Sequence, residues 1–199
     1  MTEYQHATAL YAKPGPINTD RTLSLVSEKA KLLRINTVLI ATSTGTTALR
    51  ASELIQVPNL IAVTHSAGFK QPFDAELDAT LRQAIEANGV TILTTTHAFG
   101  GVGRAVRKKL ATYQVDEIIA YTLRTFGQGM KVAAEITIMA ADAGFINDPS
   151  PIIAVGGSGR GADTAAVILP THAQTFFDLR YLEIICMPAA EHPAFAKQS

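Results

Sequence analysis

The sequence predicts an α/β protein: a mostly parallel sheet sandwiched between helix layers, with an antiparallel edge. Three observations carry that prediction. Short runs apolar at every position, such as VLIA at 38–41, LIAV at 60–63 and IIAV at 152–155, alternate with stretches of helical period. The last apolar runs are joined by short polar links, which marks antiparallel pairing. The loops after residues 42, 65, 97 and 157 are the richest in glycine, hydroxyls and histidine. In a sheet of this kind they converge outside the carboxyl ends of the strands, where ligands bind.

In chain order, residues 1–10 have no clear period and are expected to be mobile, as is the tail 189–199; His6 and His192 fall there and are expected to be solvated. A helix is expected over 19–33, with Leu23, Val26, Ala30 and Leu33 on one face and Asn18 or Thr19 as its cap. A strand over 37–42 leads through a small-residue loop into a helix over 46–55, with Ala48, Ala51 and Leu54 on one side. A strand over 60–65 enters SAGFKQPF. A helix starting near Asp74 then carries Leu77, Leu81 and Ala84 until Gly89 caps it.

A strand over 90–97 enters AFGGVGR. VGRAVRKKL and QVDEIIAYTLRTF read as helical, and after the Gly127/Gly129 break MKVAAEITIMAADAG places Val132, Ile136, Met139 and Ala143 on one face, with Gly144 as the stop. Strands are expected over 151–157, 164–170 and 183–188. Pro149 and Pro151 mark the natural boundary between halves, yet the strands beyond would lack cover alone, so 11–188 is expected to be one domain.

Bulk properties narrow the function. A chain of 199 residues suits one domain, and its 17 acidic and 17 basic residues, without long like-charged runs, do not suit nucleic acid. The single cysteine, Cys186 in EIICMP, excludes an intrachain disulfide and is expected to be a buried, inert thiol. The N-terminus lacks the pattern of a signal peptide, and no apolar window reaches the length of a membrane span. A soluble cytoplasmic protein without a membrane partner is expected; a symmetric homo-oligomer is left open.

In STGTT (43–47), Gly45 permits close backbone approach, the following helix presents unpaired N–H groups, and Ser43, Thr44, Thr46 and Thr47 add hydroxyls. The loop suits a phosphate; the alternative is a plain helix cap, but a cap needs one hydroxyl rather than a cluster. The second glycine loop, GGSGRGADTA (156–165), is no dinucleotide fingerprint, because no helical pattern follows it. Its Arg160 could pair with a phosphate or carboxylate, with Gly156, Gly157, Ser158, Gly161 and Asp163 around a flat ring; a simple turn is the alternative.

His65 and His97 both end strands on the same rim, where they could bond a ligand or move protons, or serve structure alone. Thr42, Thr64, Gly68 and Gly100 belong to the same rim segments. His172 follows a later strand and carries less weight. Glu135 and Asp142 lie in an otherwise apolar helix and must be paired, ligand-facing or at the surface. No Ser-His-Asp order, H-E-x-x-H, cysteine cluster or metal-ligand spacing occurs.

The stretch ATSTGTTALRASEL followed by NLIAVTH resembles the C-terminal domain of pyruvate kinase, whose corresponding loop holds a phosphate of an allosteric sugar bisphosphate; this covers residues 18–100. From YAKPGPINT through MKVAAEITIMAADAG, AVGGSGRGADTA and EIICMP, the chain is similar to the small stand-alone proteins of the pyruvate kinase C-terminal-like group of archaea and bacteria. The resemblance implies a three-layer α/β/α sandwich and flavin mononucleotide (FMN) as a ligand, although the reactions of the group are largely undefined. It implies Ser43 to Thr47 as the phosphate loop and Gly156 to Asp163 as the border of the remaining ligand. Ring-facing roles for His65, His97 and Glu135 come from rim placement, not from the family motif.

A pyruvate kinase needs a barrel of about 250 residues that this chain lacks, so phosphoryl transfer is not expected. The expected function is binding of a phosphorylated ligand, FMN first, with a flavin-dependent oxidoreductase following if the flavin is catalytic. The alternatives are a non-catalytic sensor of a sugar phosphate and, more weakly, a hydrolase or isomerase using His65 or His97 as base.

Overall fold

In the computed structural model, which describes residues 3–195, apolar runs and helical stretches alternate along nearly the whole chain. The order is β1 (Ala9–Tyr11), α1 (Thr19–Leu33), β2 (Thr37–Ala41), α2 (Thr46–Leu54), β3 (Asn59–Thr64), α3 (Ala79–Ala87) and β4 (Thr91–Thr94), then α4 (Val102–Leu110), α5 (Val115–Arg124), α6 (Gln128–Asp142), β5 (Ile152–Gly156), β6 (Thr164–Leu169) and β7 (Arg180–Pro188). The strands form one sheet in the order β1-β7-β6-β5-β2-β3-β4. β5, β2, β3 and β4 are mutually parallel, β6 is antiparallel to β5 and β7, and β1 joins β7 in parallel.

Strand pleating explains the layers. Val38 and Ile40 of β2, with Ile153 and Val155 of β5, pack against Leu23 and Val26 of α1 and Ala48 and Ala51 of α2. Leu39, Ile152 and Ala154 point the other way, onto Ile136, Met139 and Ala140 of α6. Both faces of the central strands are therefore buried, which is why they read as continuous apolar runs. α5 covers α6 in turn, with Ala120 packed in one cluster with Ala134 and Ile138. No helix among the described residues is long and apolar enough to cross a membrane.

Several boundaries differ from the sequence expectation. Within the segment expected to be mobile, Ala9 and Leu10 pair with Cys186 and Met187, and Thr8 donates its hydroxyl to the Ile184 carbonyl at 2.8 Å. Backbone pairing at the outer edge of β7 orders these residues, and it leaves no side-chain period over three positions. Of the two expected mobile ends, residues 1–2 and 196–199 lie outside the described part. The helix expected near Asp74 begins only at Ala79, because Asp78 is the true cap and accepts from the Thr80 and Leu81 amides at 2.9 and 3.2 Å. Leu77 reaches the core from the preceding loop. Asn18 occupies the capping position of α1 without capping it; its amide donates to the Lys13 carbonyl at 2.7 Å. β4 is half the length expected, and β7 starts earlier, at Arg180. The strand after Pro149 and Pro151 lies at the sheet centre, between β2 and β6.

α6 approaches the sheet through glycine. A Cβ at Gly129 would overlap the Thr164 side chain, and one at Gly156 would overlap the Gly129 carbonyl. Gly129→Ala improves helix propensity by about 1 kcal/mol, but the overlap costs about 1–3 kcal/mol. We expect a net loss of stability in urea unfolding; a gain would show that α6 can withdraw from β6 without penalty.

Candidate functional site

The carboxyl ends of β2, β3 and β5 and the loop after β4 open onto one rim, as the four polar loops suggested. Thr42, Ser43, Thr64, His65, His97 and Gly157 line an inner cavity of about 200 Å³ with Lys131 and Glu135 of α6. An outer cavity of about 580 Å³ is lined by Thr44, Thr46, Thr47, Arg50 and Arg160. The two share Ala41, Thr42, Ser43, Gly159 and Gly161, so they form one continuous groove. A larger hollow of about 820 Å³ lies at the opposite, amino-end rim beside Asn36, Asn59 and Asp148 and contains none of the candidate residues. Sheets of this type bind ligands at the carboxyl-end rim, so the smaller groove is the candidate.

The hydroxyl loop forms the start of α2. Thr42 Oγ1 accepts the Gly45 amide at 3.1 Å, folding the loop back on its strand. Gly45 has φ 98°, and a Cβ there would lie 2.6 Å from Leu77 Cδ1 and 3.0 Å from Ile85 Cδ1. Gly45 thus faces the core and lines neither cavity; packing and its left-handed backbone, not ligand approach, require glycine. Thr44 and Thr46 are exposed beside the first-turn N–H groups of α2, which have no intrahelical acceptor and carry the positive end of the helix dipole. Arg50, one turn further on, is held by both Asp20 oxygens at 2.8 and 2.9 Å and by Glu53 at 2.5 Å. The Arg50 guanidinium keeps the Asp20 carboxyl below its ordinary range. Sequence reasoning missed Arg50, although its four-residue spacing from Thr46 puts both on one face.

The glycine loop divides into frame and surface. Asp163 is fully buried and accepts the Gly15 amide at 2.8 Å, the Ser158 amide at 3.2 Å and the Thr164 hydroxyl at 2.9 Å. It holds the loop to the N-terminal segment and lines neither cavity. Gly156 serves the α6 contact in the same way. Gly161 has φ 73° and packs against Pro16 and Thr19, whose hydroxyl accepts the Ala162 amide at 3.1 Å. Ser158, Gly159 and Arg160 are exposed, and space beside Gly159 is open.

Each rim histidine has its own carboxylate. His65 Nδ1 lies 2.6 Å from Glu76 Oε1, and Glu76 also binds Lys70. Burial pushes the Glu76 carboxyl up, but His65 and Lys70 outweigh it and leave the group below its ordinary value. His97 Nδ1 lies 3.6 Å from Glu135 Oε2. Glu135 also pairs with Lys131 and accepts the Phe99 amide at 3.2 Å, so it is both paired and cavity-facing. Phe69 lies against both imidazoles, its ring centroid 4.1 Å from that of His65 and 4.8 Å from that of His97. Thr64 is bonded to Thr94 at 2.7 Å and ties β3 to β4. Gly68 and Gly100 border a separate small hollow behind Phe69. Asp142 and His172 pair at 3.1 Å with exposed side chains and line neither cavity.

Sequence reasoning missed Phe69, Glu76, Arg104, Arg124 and Lys131. Lys131 had a signal, since it stands four residues before Glu135 in an apolar helix. The two arginines had none, because they occur among solvated cations on separate helices. Cys186 is buried as expected, and burial raises its thiol pKa.

Together these features define a three-layer α/β domain with a polar groove at its carboxyl-end rim. The family model of the pyruvate kinase alpha/beta domain matches residues 20–168, from α1 into β6. The chain belongs to that family.

Burial pushes the Glu135 carboxyl up, but His97 and Lys131 together hold it at about 2, against an ordinary 4.5. Burial pulls Lys131 below the usual lysine value, partly offset by Glu135. A carboxylate depressed in this way stabilises the fold fully above its unfolded pKa and loses that contribution as pH falls through the folded one. Glu135→Gln is expected to cost about 3–5 kcal/mol near neutrality by stranding Lys131. It should also flatten the fall in stability between pH 4.5 and 2. Parallel acid-unfolding curves for the two proteins would remove Glu135 from this role.

Proposed function

We propose that the rim binds a phosphorylated ligand, FMN first, with its phosphate at residues 43–47 and its ring toward the glycine loop. The carrying observation is that α2 begins, with exposed Thr44 and Thr46, on the floor of a 580 Å³ cavity. That volume falls in the range of cofactor and metabolite sites. A phosphate there gains charge-assisted hydrogen bonds of roughly 1.5–3 kcal/mol each from N–H donors, with Arg160 in reach of the same cavity.

The residues fit a flavin in two respects. The donor set at the helix start matches the phosphate, and the open backbone at Gly159 leaves a surface for a flat ring. A bound flavin supplies hydride and one-electron chemistry. The chain itself binds the phosphate, and Phe69 lines the inner cavity beside both histidines. With its Nδ1–H directed at Glu76, His65 keeps Nε2 as the ring nitrogen that can hold or release a proton. A flavin-dependent oxidoreductase is the form this reading takes where the flavin is catalytic. The reading also takes the protein to be cytoplasmic and a symmetric homo-oligomer.

The second reading, a sensor of a sugar phosphate without chemistry, is favoured by the Asp20–Arg50–Glu53 network. Its Asp20 and Arg50 line the outer cavity with groups suited to sugar hydroxyls.

An absorbance spectrum of freshly purified protein, with mass spectrometry of the heat-released ligand, distinguishes the two. Flavin bands with the mass of FMN support the first; a colourless protein that FMN does not stabilise against heat supports the second. Thr46→Glu tests the phosphate position, because a first-turn acid suits the helix yet repels a phosphate. We expect at least tenfold weaker FMN binding, about 1.4 kcal/mol, with riboflavin unaffected. Equal loss for both would sink the phosphate assignment.

A further inference from the structure

The inner cavity has an excess of positive charge that neither the fold nor the phosphate loop uses. Arg104, Arg124 and Lys131 line it against a single carboxylate, Glu135; the other titratable side chains facing it are His65 and His97. Lys131 is 4% exposed and is paired with Glu135. Arg50, Arg82 and Arg107 each hold a carboxylate, whereas among the described residues neither Arg104 nor Arg124 has one within 4 Å.

Both free arginines are nonetheless held in place. Arg104 lies 4.8 Å from the Phe69 ring centroid and Arg124 lies 5.1 Å from that of Tyr121. Arg124 also donates Nε–H to Gln128 Oε1 at 2.7 Å, which leaves its outer guanidinium nitrogens without a carboxylate. Two positioned guanidinium groups beside a buried ammonium form an anion receptor suited to a planar, two-oxygen group.

One part of the wall is apolar, with Val132, Ile136 and Met139 facing the same space, beside the hydroxyls of Thr42, Ser43 and Thr64. A bare inorganic anion has no use for such a wall, whereas a short carbon chain does. The 200 Å³ volume corresponds to about six or seven waters at liquid density, room for a short-chain acid.

We infer that the inner cavity is a subsite for a small organic acid, whose carboxylate meets Arg104, Arg124 and Lys131 while its short carbon chain lies against Val132 and Met139. This deepens the reading of a groove that holds a phosphorylated ligand by giving the class of the second molecule. It rests on that reading only for the neighbour in the outer cavity.

The test is calorimetric titration of the purified protein with butyrate and with its uncharged isostere butyramide. Butyrate is expected to bind saturably and butyramide at least tenfold more weakly. Arg104→Gln and Arg124→Gln should each weaken butyrate at least fivefold without moving the thermal midpoint, since Arg124 is exposed and Arg104 half-buried. Thr46→Glu should leave butyrate binding unchanged, so failure at the phosphate loop and failure here are separate results. No saturable butyrate binding, equal binding of the amide, wild-type affinity in both arginine variants, or inorganic phosphate binding as tightly as butyrate would each overturn the inference.

Discussion

The close seating of α6 on the sheet is the constraint on which the rim depends. Twelve of its fifteen residues are buried, and its first turn meets β5 and β6 where only Gly129 and Gly156 fit. That seating takes Lys131 and Glu135 out of water. Neither could be buried alone, because an uncompensated ion in the interior costs several kcal/mol. Their four-residue spacing, the Phe99 amide and His97 together satisfy them. The same contacts fix His97, Phe99 and the loop after β4 relative to the sheet, so the geometry of the inner cavity follows from how a helix with two charges was made tolerable in the core.

What the sequence disclosed follows from what burial does to it. β2, β3 and β5 were legible because strands covered on both faces must be apolar throughout, and α6 because Gly127 and Gly144 bracket an apolar run. The family resemblance agreed with the match over residues 20–168. The start of α3 was misplaced because Leu77 has the right period for the helix while reaching the core from a loop, and only the Asp78 cap decides. β1 was invisible because three residues paired by their backbone leave no pattern. Among site residues, the hydroxyl loop and both histidines could be placed from strand ends. The reason for Gly45 could not, since a glycine needed for packing against Leu77 looks the same as one needed for a ligand. Arg104 and Arg124 meet only through the tertiary fold.

Charge is unevenly spread over a chain that is neutral as a whole. One end of the groove has the start of α2 and Arg160; the other has Arg104, Arg124 and Lys131. The histidines lie toward the second end, and the carboxylates Glu76 and Glu135 orient them. Their settings differ: His65 and Glu76 are joined across the irregular loop before α3, whereas His97 faces a carboxylate on the most buried helix. His65 is the more exposed ring, with 34% of its side chain accessible against 10% for His97. If protons move at this rim, the exposed ring is the better placed to exchange them with solvent.

A criterion for function follows from asking which polar groups the fold has already used. Asp163 spends its oxygens on Gly15, Ser158 and Thr164; Thr42 and Thr64 hold loop and strand; Glu76 and Glu135 are each shared between a histidine and a lysine. What remains at the groove is mostly donors: first-turn amides and hydroxyls of α2, Arg160, and the outer nitrogens of Arg104 and Arg124. Unused donors at both ends suit the guest proposed above, one rich in acceptors and negatively charged. In the reading proposed above, the groove's two-ended charge is the property that a ligand must match first.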